Sequence, residues 1–268
     1  MSPLNPLPAL FAHRYLLGQL IRREVLARYR GSALGIGWSF LHPLLLLFAF
    51  TLVFGGVFGG RWGGEETGKT GFEMALFIYC GLAVFVPFSE VIGSAPKVLV
   101  ANQHFVRKVV FPLETLPLAS LAAASIHGAA HILLLALAVM LAGHVHATAL
   151  LAPLILLPAW LLTLGLAWGL AAAGAYVRDI GHGMPVLTQL LMFALPVFYP
   201  SSVAPGPLRA INEINPVALA IEDLRRSLVA GAAPDWDRWL AMLAIGAGCA
   251  VLGYAFFAHC REEFADVL

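Results

Sequence analysis

The stretch from Leu20 to Phe54 reads LIRREVLARYRGSALGIGWSFLHPLLLLFAFTLVF, and it joins a basic segment to an apolar one. Arginines crowd its first eleven residues, whereas no Asp, Glu, Lys or Arg stands between Gly31 and Phe54. An α-helix needs about 20 mostly apolar residues to cross the hydrocarbon core of a bilayer. The second half of the stretch therefore predicts a membrane span that follows a basic segment.

The composition of the whole chain indicates a membrane protein. Of its 268 residues, 60% are hydrophobic and only 12% are charged, with a mean hydropathy of +0.85. Soluble domains carry roughly 25% charged residues. The net charge of +1 provides no general attraction for nucleic acid. The three cysteines stand singly, so the sequence suggests neither a zinc site nor a disulfide framework.

Six apolar segments predict an all-α polytopic membrane protein with six transmembrane helices, and we treat residues 1–268 as a single transmembrane domain. The segments run approximately over Leu34–Phe58, Met74–Ala95, Thr115–Gly143, Ala149–Tyr176, Met184–Tyr199 and Trp239–His259. The fifth is short and flanked by prolines. Pro43 and Pro87 fall inside spans, and the kinks that they predict suit a bundle whose neighbouring helices satisfy the freed carbonyls.

The distribution of Lys and Arg predicts that both termini are cytoplasmic. Ten of these residues flank one side of the six segments and six flank the other, and five of the ten precede the first span. Positive charge near the first span weighs most in setting orientation.

The long connection between the fifth and sixth spans, residues 200–236, then faces outwards. Within it, NPVALAIEDLRRSLVAG begins at Asn215 with an Asn-Pro helix start and ends at Gly231, which predicts a helix. The residues before Asn215 are predicted to hold a shorter helix. Two such helices suggest a re-entrant or surface-lying hairpin, and the alternative is a solvated outer loop.

The sequence GGEETGKT, Gly63 to Thr70, matches the pattern of the phosphate-binding loop of many ATPases. It lies between the first two predicted spans, on the outer side, where no ATP is available. Glu65 and Glu66 would also point carboxylates at a phosphate. We interpret the match as a chance feature of a glycine-rich turn.

Several short motifs in a fixed order characterise the chain. The first stretch carries Arg28-Tyr29-Arg30, Ser32, Leu34-Gly35, Trp38 and Pro43, and it is followed by VRKVVFPLETLPLA from Val106, VRDI from Val177, PVFYP from Pro196 and the segment from Asn215. This ordered set resembles the permeases of type 2 ABC exporters that move lipid-linked polysaccharides, namely the O-antigen, capsule and teichoic acid exporters. The resemblance covers the whole chain and favours the O-antigen type.

The resemblance implies a homodimeric, multi-pass permease of the inner membrane that works with two copies of an ABC ATPase subunit. Its substrate would be an undecaprenyl-pyrophosphate-linked polysaccharide. ATP and Mg would bind in the partner ATPase, and this chain would hold no cofactor or metal of its own and no catalytic site.

Two cytoplasmic segments carry the first candidate site residues. A helix over residues 10–30 would lie at the membrane interface, with Arg22, Arg23, Arg28 and Arg30 available for contact with the ATPase and with the lipid pyrophosphate, since arginine forks match phosphate oxygens. Simple binding of anionic lipid head groups is the alternative. By resemblance, residues 96–112 form the coupling segment on the ATPase, with Asn102, Gln103, His104 and Arg107 exposed to it; a solvated turn is the alternative.

Aromatic and ionisable residues inside the spans supply the remaining candidates. The predicted channel lining is Phe50, Phe54, Phe58, Phe193, Phe198 and Tyr199, because sugars slide past aromatic faces; contact with lipid or a neighbouring helix is the alternative. Glu90 is predicted to face the bundle interior or to lie near the cytoplasmic surface. His127 and His131 have metal-ligand spacing without a third ligand, which favours a hydrogen-bonded helix contact.

Other classes of function have less support. No nucleophile elbow or H-E-x-x-H zinc motif occurs in the sequence, which disfavours a membrane protease or transferase. A small-molecule exporter of the same fold and a channel or structural membrane protein remain as alternatives.

Overall fold

The computed structural model describes residues 13–53, 71–106, 111–143 and 146–267, and in these ranges the regular structure is entirely helical. The α-helices are α1 (Arg14–Tyr29), α2 (Trp38–Thr51), α3 (Gly71–Ser94), α4 (Gln103–Val106), α5 (Thr115–Leu141), α6 (Ala152–Tyr176), α7 (Asp179–Ala194), α8 (Gly206–Glu213), α9 (Pro216–Leu228), α10 (Trp236–Cys260) and α11 (Phe264–Val267).

Four helical segments are long and apolar enough to cross a membrane. They are Gly71–Lys97, Thr115–Leu141, Ala147–Tyr176 and Trp236–Glu263; short helical turns extend the first, third and fourth beyond α3, α6 and α10. Large apolar side chains on their outer faces, such as Leu133 and Leu252, are 63% and 72% exposed. Such surfaces suit contact with lipid or another membrane subunit rather than water. The fold is that of an all-α, multi-pass membrane protein.

The predicted boundaries agree with the observed helices to within three residues for the second, third, fourth and sixth spans. The first helix, α2, starts four residues later than predicted, and the predicted end at Phe58 lies outside the described residues. The predicted fifth span is wrong by five residues at both ends, since α7 runs from Asp179 to Ala194. Leu195 is extended, with ψ 154°, because the following Pro196 disfavours helical backbone before it.

Helix α3 lies at the centre of the fold. All of its residues from Ala75 to Phe85 except Phe77 are buried, and it packs against α2, α5, α6, α7 and α9. Helix α10 lies on the other side of α6, where glycines allow close contact: a Cβ added to Gly253 would collide with the backbone of Gly165. Small residues at such crossings are a common means of helix association in membranes. The indole Nε1 of Trp239 donates to the Leu154 carbonyl at 3.0 Å and fixes the same pair.

The helices α8 and α9 occupy the connection between the fifth and sixth predicted spans. The Asn215 side chain accepts a hydrogen bond from the Val217 N–H at 2.8 Å, so the Asn-Pro pair starts α9 as a capped helix. Eleven of the thirteen residues of α9 are buried. The alternative of a solvated outer loop is therefore wrong for this helix.

A buried arginine holds α9 in place. Arg225 is 5% exposed, and its guanidinium donates to the carbonyls of Phe77 (3.0 Å), Val197 (2.7 Å) and Tyr199 (3.3 Å) and to Glu222 Oε1 (3.2 Å). The guanidinium carbon also lies 3.7 Å from the centre of the Phe77 ring. These partners satisfy the donors of the buried cation, and they tie α9 to the start of α3 and to the turn after α7.

Candidate functional site

A cavity of about 320 Å³ that carries several polar and ionisable side chains lies where α1, α2, α3 and α5 meet. Its polar and ring-bearing wall consists of Arg28, Tyr29, Trp38, Ser39, His42, Glu90, His127 and His131. Gly128 lets α5 approach Pro87 of α3 here, because a Cβ at this position would lie only 3.1 Å from Pro87 Cγ. Ionisable groups are expensive inside a membrane bundle and mark functional sites there.

The cavity contains an ion pair between Arg28 of α1 and Glu90 of α3. The two side chains are 36% and 25% exposed. Burial lowers the pKa of the Arg28 guanidinium, which nevertheless stays cationic at physiological pH. Glu90 was predicted to lie in the bundle interior or near the cytoplasmic surface. Its carboxylate neutralises Arg28, which was predicted to bind phosphate.

Histidines form the inner part of the cavity. His131 is 4% exposed, and its Nδ1 lies 3.1 Å from the Tyr79 hydroxyl. His127 is 8% exposed, and neither ring nitrogen has a hydrogen-bond partner among the described residues. The ring of Tyr29 meets the His127 ring edge-on, with centroids 5.6 Å apart. The predicted hydrogen-bonded contact therefore exists at His131, and His127 is left facing the cavity with its polar atoms unused.

No group of three or more metal-ligating side chains occurs in the described part of the chain. The cavity instead offers hydrogen-bond donors and acceptors together with aromatic faces. Tyr29 extends this polar character to α2, where its hydroxyl is hydrogen-bonded to the Ser39 hydroxyl.

The four predicted phosphate-binding arginines do not form a single cluster. Arg28 alone lines the cavity, while Arg22 and Arg30 are exposed. Arg23 points elsewhere: its Nη2 donates to Asn102 Oδ1 at 2.8 Å and to Glu24 at 3.0 Å.

The predicted coupling segment is only partly available to a partner. His104 is exposed and Gln103 half-buried, and Arg107 lies outside the described residues. The prediction that Asn102 is exposed is wrong, because this residue is 6% exposed. Its amide nitrogen donates to the Val98 carbonyl at 2.8 Å, and its oxygen accepts from Arg23. A short polar side chain in a helical turn can find its hydrogen-bond partners within the protein. The order of residues in the sequence did not show that Asn102 has such partners.

Three of the predicted channel aromatics come together between α2 and the end of α7. The rings of Phe50 and Phe198 are 6.3 Å apart, and those of Phe193 and Phe198 are 5.7 Å apart. Phe193 is 57% exposed. Tyr199 has a local role, since its hydroxyl donates to the Phe193 and Ala194 carbonyls at 2.9 Å each. Phe54 and Phe58 lie outside the described residues, as does the Gly63–Thr70 motif.

Sequence reasoning missed the role of His127 as a cavity residue and that of Arg225 as a buried anchor. For His127, its position beside a small residue, Gly128, in the middle of an otherwise apolar span was an available signal. For Arg225, no signal separates it from its exposed neighbour Arg226 in the sequence.

Comparison with known proteins places the chain in a transport family. Residues 15–229 match the family profile described as ABC-2 type transporter. The chain is 28% identical over 264 residues to the O-antigen export system permease protein RfbA of Myxococcus xanthus, with 96% of each protein covered. It is 22% identical over 255 residues to a Klebsiella pneumoniae protein of the same name, with 94% of this chain and 95% of the other covered.

Proposed function

Because the chain belongs to the ABC-2 type transporter family, we propose that it is the membrane-embedded subunit of an exporter of undecaprenyl-pyrophosphate-linked polysaccharide, of the O-antigen type. The observation that carries this proposal is the alignment, over almost the whole chain, with proteins named O-antigen export system permeases. The chain is a transport subunit, and ATP hydrolysis would belong to a partner ABC ATPase.

The proposed arrangement in the membrane has six spans, with α2 and α7 crossing in addition to the four long apolar helices, and with both termini in the cytoplasm. The five N-terminal arginines support this orientation. The protein would lie in the inner membrane as a homodimer with two ATPase copies. Helices α8 and α9 would then lie at the outer end.

The cavity at Arg28 is the proposed access site for the lipid pyrophosphate. A guanidinium can bind two phosphate oxygens at once. Arg28 is already paired with the carboxylate of Glu90, so the substrate phosphate and this carboxylate would compete for the same guanidinium. The exposed residues Arg22 and Arg30 would attract the anionic head group to this end of the protein.

Helix α1 would link this site to the ATPase. Arg23 bonds to Asn102 in the proposed coupling segment, while Arg28 lies in the cavity. His104 and Gln103 would contact the ATPase on the accessible side of that segment, together with Arg107. The aromatic group Phe50, Phe193 and Phe198 would line the polymer path, with Phe54, Phe58 and Tyr199 as further contacts.

Two charge reversals test the division of labour. Arg107→Glu should lower the amount of copurified ATPase or uncouple its hydrolysis from export, because charges at the rim of an interface set recognition. The double variant Arg28→Glu with Arg30→Glu should keep the ATPase and block export. Both quantities are measured in the same cells, as ATPase recovered per permease and polymer at the cell surface.

Three results would contradict the proposal. Equal loss of the ATPase in both variants would make α1 a docking element and remove its substrate role. Failure to copurify any ABC ATPase from the native host would overturn the transporter assignment. Stimulation of ATP hydrolysis by drugs but not by polysaccharide lipids would indicate a small-molecule exporter.

A further inference from the structure

We propose that a second pocket, formed by α8, α9 and the start of α10, binds neutral sugar residues of the exported polymer through hydroxyl groups. The inference rests on the proposed function, which supplies a polysaccharide and places these helices at the outer end. The two pockets are well separated: Arg225 of α9 touches Phe77, which is 13 residues from Glu90 on α3, or about 20 Å at 1.5 Å per residue.

The pocket has a volume of about 280 Å³, close to the lower limit of roughly 300 Å³ for small-molecule sites. Its wall includes serine hydroxyls at Ser201 and Ser202 and six charged side chains. Those side chains are Arg209, Glu213, Glu222, Asp223, Arg226 and Arg238. A space of this size suits one sugar residue rather than an extended chain.

Asp223 is the buried polar group of the pocket. The residue is 1% exposed, yet its Oδ2 atom has no hydrogen-bond partner among the described residues. Burial raises the pKa of this carboxyl to about 6, against the lowering influence of Arg226, of the Asp235 backbone and of Arg238. A buried oxygen without a partner is costly, and a ligand hydroxyl in the pocket would satisfy it.

Two arginines of the pocket are also available. Arg226 and Arg238 are exposed, and neither forms an ion pair with a carboxylate in the described ranges. Arg209, in contrast, is paired with Glu213 at 3.1 Å. Glu222 is fixed as well, since its Oε1 accepts from the Ser201 N–H at 2.8 Å and from Arg225.

The balance of charge selects the class of ligand. The wall carries three arginines and three carboxyl groups, so neither an anion nor a cation is favoured by the pocket as a whole. A sugar hydroxyl both donates and accepts, and can therefore bond to Asp223 and to an arginine at the same time. Hydrogen bonds from neutral hydroxyls to charged side chains are the stronger kind, and they do not require a charged ligand.

The test measures binding by the full chain in lipid nanodiscs, without the ATPase. Saturation-transfer NMR titrations use four neutral sugars as probes: N-acetyl-D-glucosamine, D-galactose, D-mannose and L-rhamnose. At least one should bind, and Arg226→Gln and Arg238→Gln should each weaken it about tenfold, the effect of losing one hydrogen bond to a charged group. Arg178→Gln, an exposed arginine at the start of α7, is the matched control and should bind normally.

Four outcomes overturn the proposal: no binding of any probe, binding by both pocket variants as tight as by the natural protein, binding of inorganic phosphate in place of the sugars, or binding of Ca²⁺ in their place. Because the pocket variants change only exposed side chains, folding is checked by size-exclusion chromatography and helical circular dichroism on the same samples. Sugar binding by a chain that copurifies no ABC ATPase would support the sugar pocket and contradict the proposed function. Polymer export by a chain that binds none of the sugars would support the proposed function and contradict the sugar pocket.

Discussion

Replacement of Glu90 by Gln should tighten the binding of an anionic lipid head group to the cavity. The change keeps the size of the side chain and removes only the negative charge that Arg28 now faces. If the phosphate of the substrate competes with this carboxylate, the variant presents a free guanidinium. The variant should therefore bind undecaprenyl pyrophosphate more tightly than the natural protein.

The expected size of the effect follows from the burial of the pair. Exposed ion pairs contribute about 0.2–1 kcal/mol, and breaking a fully buried pair costs about 3–5 kcal/mol. With side chains 36% and 25% exposed, the Arg28–Glu90 pair lies between these limits, at about 1–3 kcal/mol. Removing a competitor of that strength corresponds to roughly 5- to 150-fold tighter binding. Loss of the Arg28–Glu90 ion pair should also lower the thermal stability of the variant.

The assay is a titration of undecaprenyl pyrophosphate into permease nanodiscs, read by native mass spectrometry. Arg28→Gln should lose most binding, and the double variant should behave like Arg28→Gln, because the carboxylate has no effect once the arginine is gone. Glu213→Gln is the matched control, since Glu213 pairs with Arg209 on α8 and neither residue lines the cavity. Weaker binding by Glu90→Gln, or unchanged binding by Arg28→Gln, would refute the competition and leave the pair a purely structural contact.

Three further predictions concern other parts of the chain. Lys69→Ala should leave ATP hydrolysis by the purified complex unchanged within error, and a loss there would contradict both the predicted outer position of GGEETGKT and the proposed hydrolysis by the partner. A cysteine at Thr67 should react with an impermeant thiol reagent in intact spheroplasts, and one at His104, which is exposed in the proposed coupling segment, should not; the reverse pattern would invert the predicted topology. The pKa of the Asp223 carboxyl, about 6 in the folded protein, is above its ordinary value of 3.8, so the native state should lose stability as pH rises from about 4 to about 6, and thermal unfolding of Asp223→Asn should lack that dependence; an identical slope in both proteins would show that another group titrates.

The helices with the strongest signal were predictable because hydrocarbon thickness fixes their length. Long apolar runs bounded by polar residues gave four spans to within three residues. The prediction failed at α7, where Asp179 and His182, which precede the apolar run, belong to the helix and the apolar residues after Ala194 do not. Hydropathy reports transfer into lipid, whereas the helix end at Leu195 is set by the backbone of the next residue, Pro196.

The partners of the charged residues were not predictable from the sequence. Arg28 and Glu90 are 62 positions apart, and they meet because α1 packs against α5, which in turn packs against α3. Spans that are apolar on all sides carry no signal for which face meets which neighbour. The sequence therefore identified both groups as unusual but could not show that they neutralise each other.

Arg225 and Arg226 show the same limit within one helix. Both are arginines near the end of α9, yet Arg225 is 5% exposed with four acceptors and Arg226 is exposed. The difference arises because the 100° step between successive helical residues points Arg225 at the carbonyls that follow Leu195, where Pro196 leaves the backbone without helical partners. The irregular turn after α7 and the buried cation of α9 thus depend on each other. Neither feature can be predicted from its own stretch of sequence.

Helix α1 connects the proposed coupling segment to the cavity. Arg23 and Arg28 are five residues apart, or about 7.5 Å along the helix axis. One bonds to Asn102 in the proposed coupling segment and the other to Glu90 in the cavity. In the proposed exporter, a displacement of the coupling segment would pull on Arg23 and, through α1, shift Arg28 relative to Glu90. ATPase motion would then act on the ion pair that competes with the substrate phosphate, and this would connect hydrolysis to the release or capture of the head group.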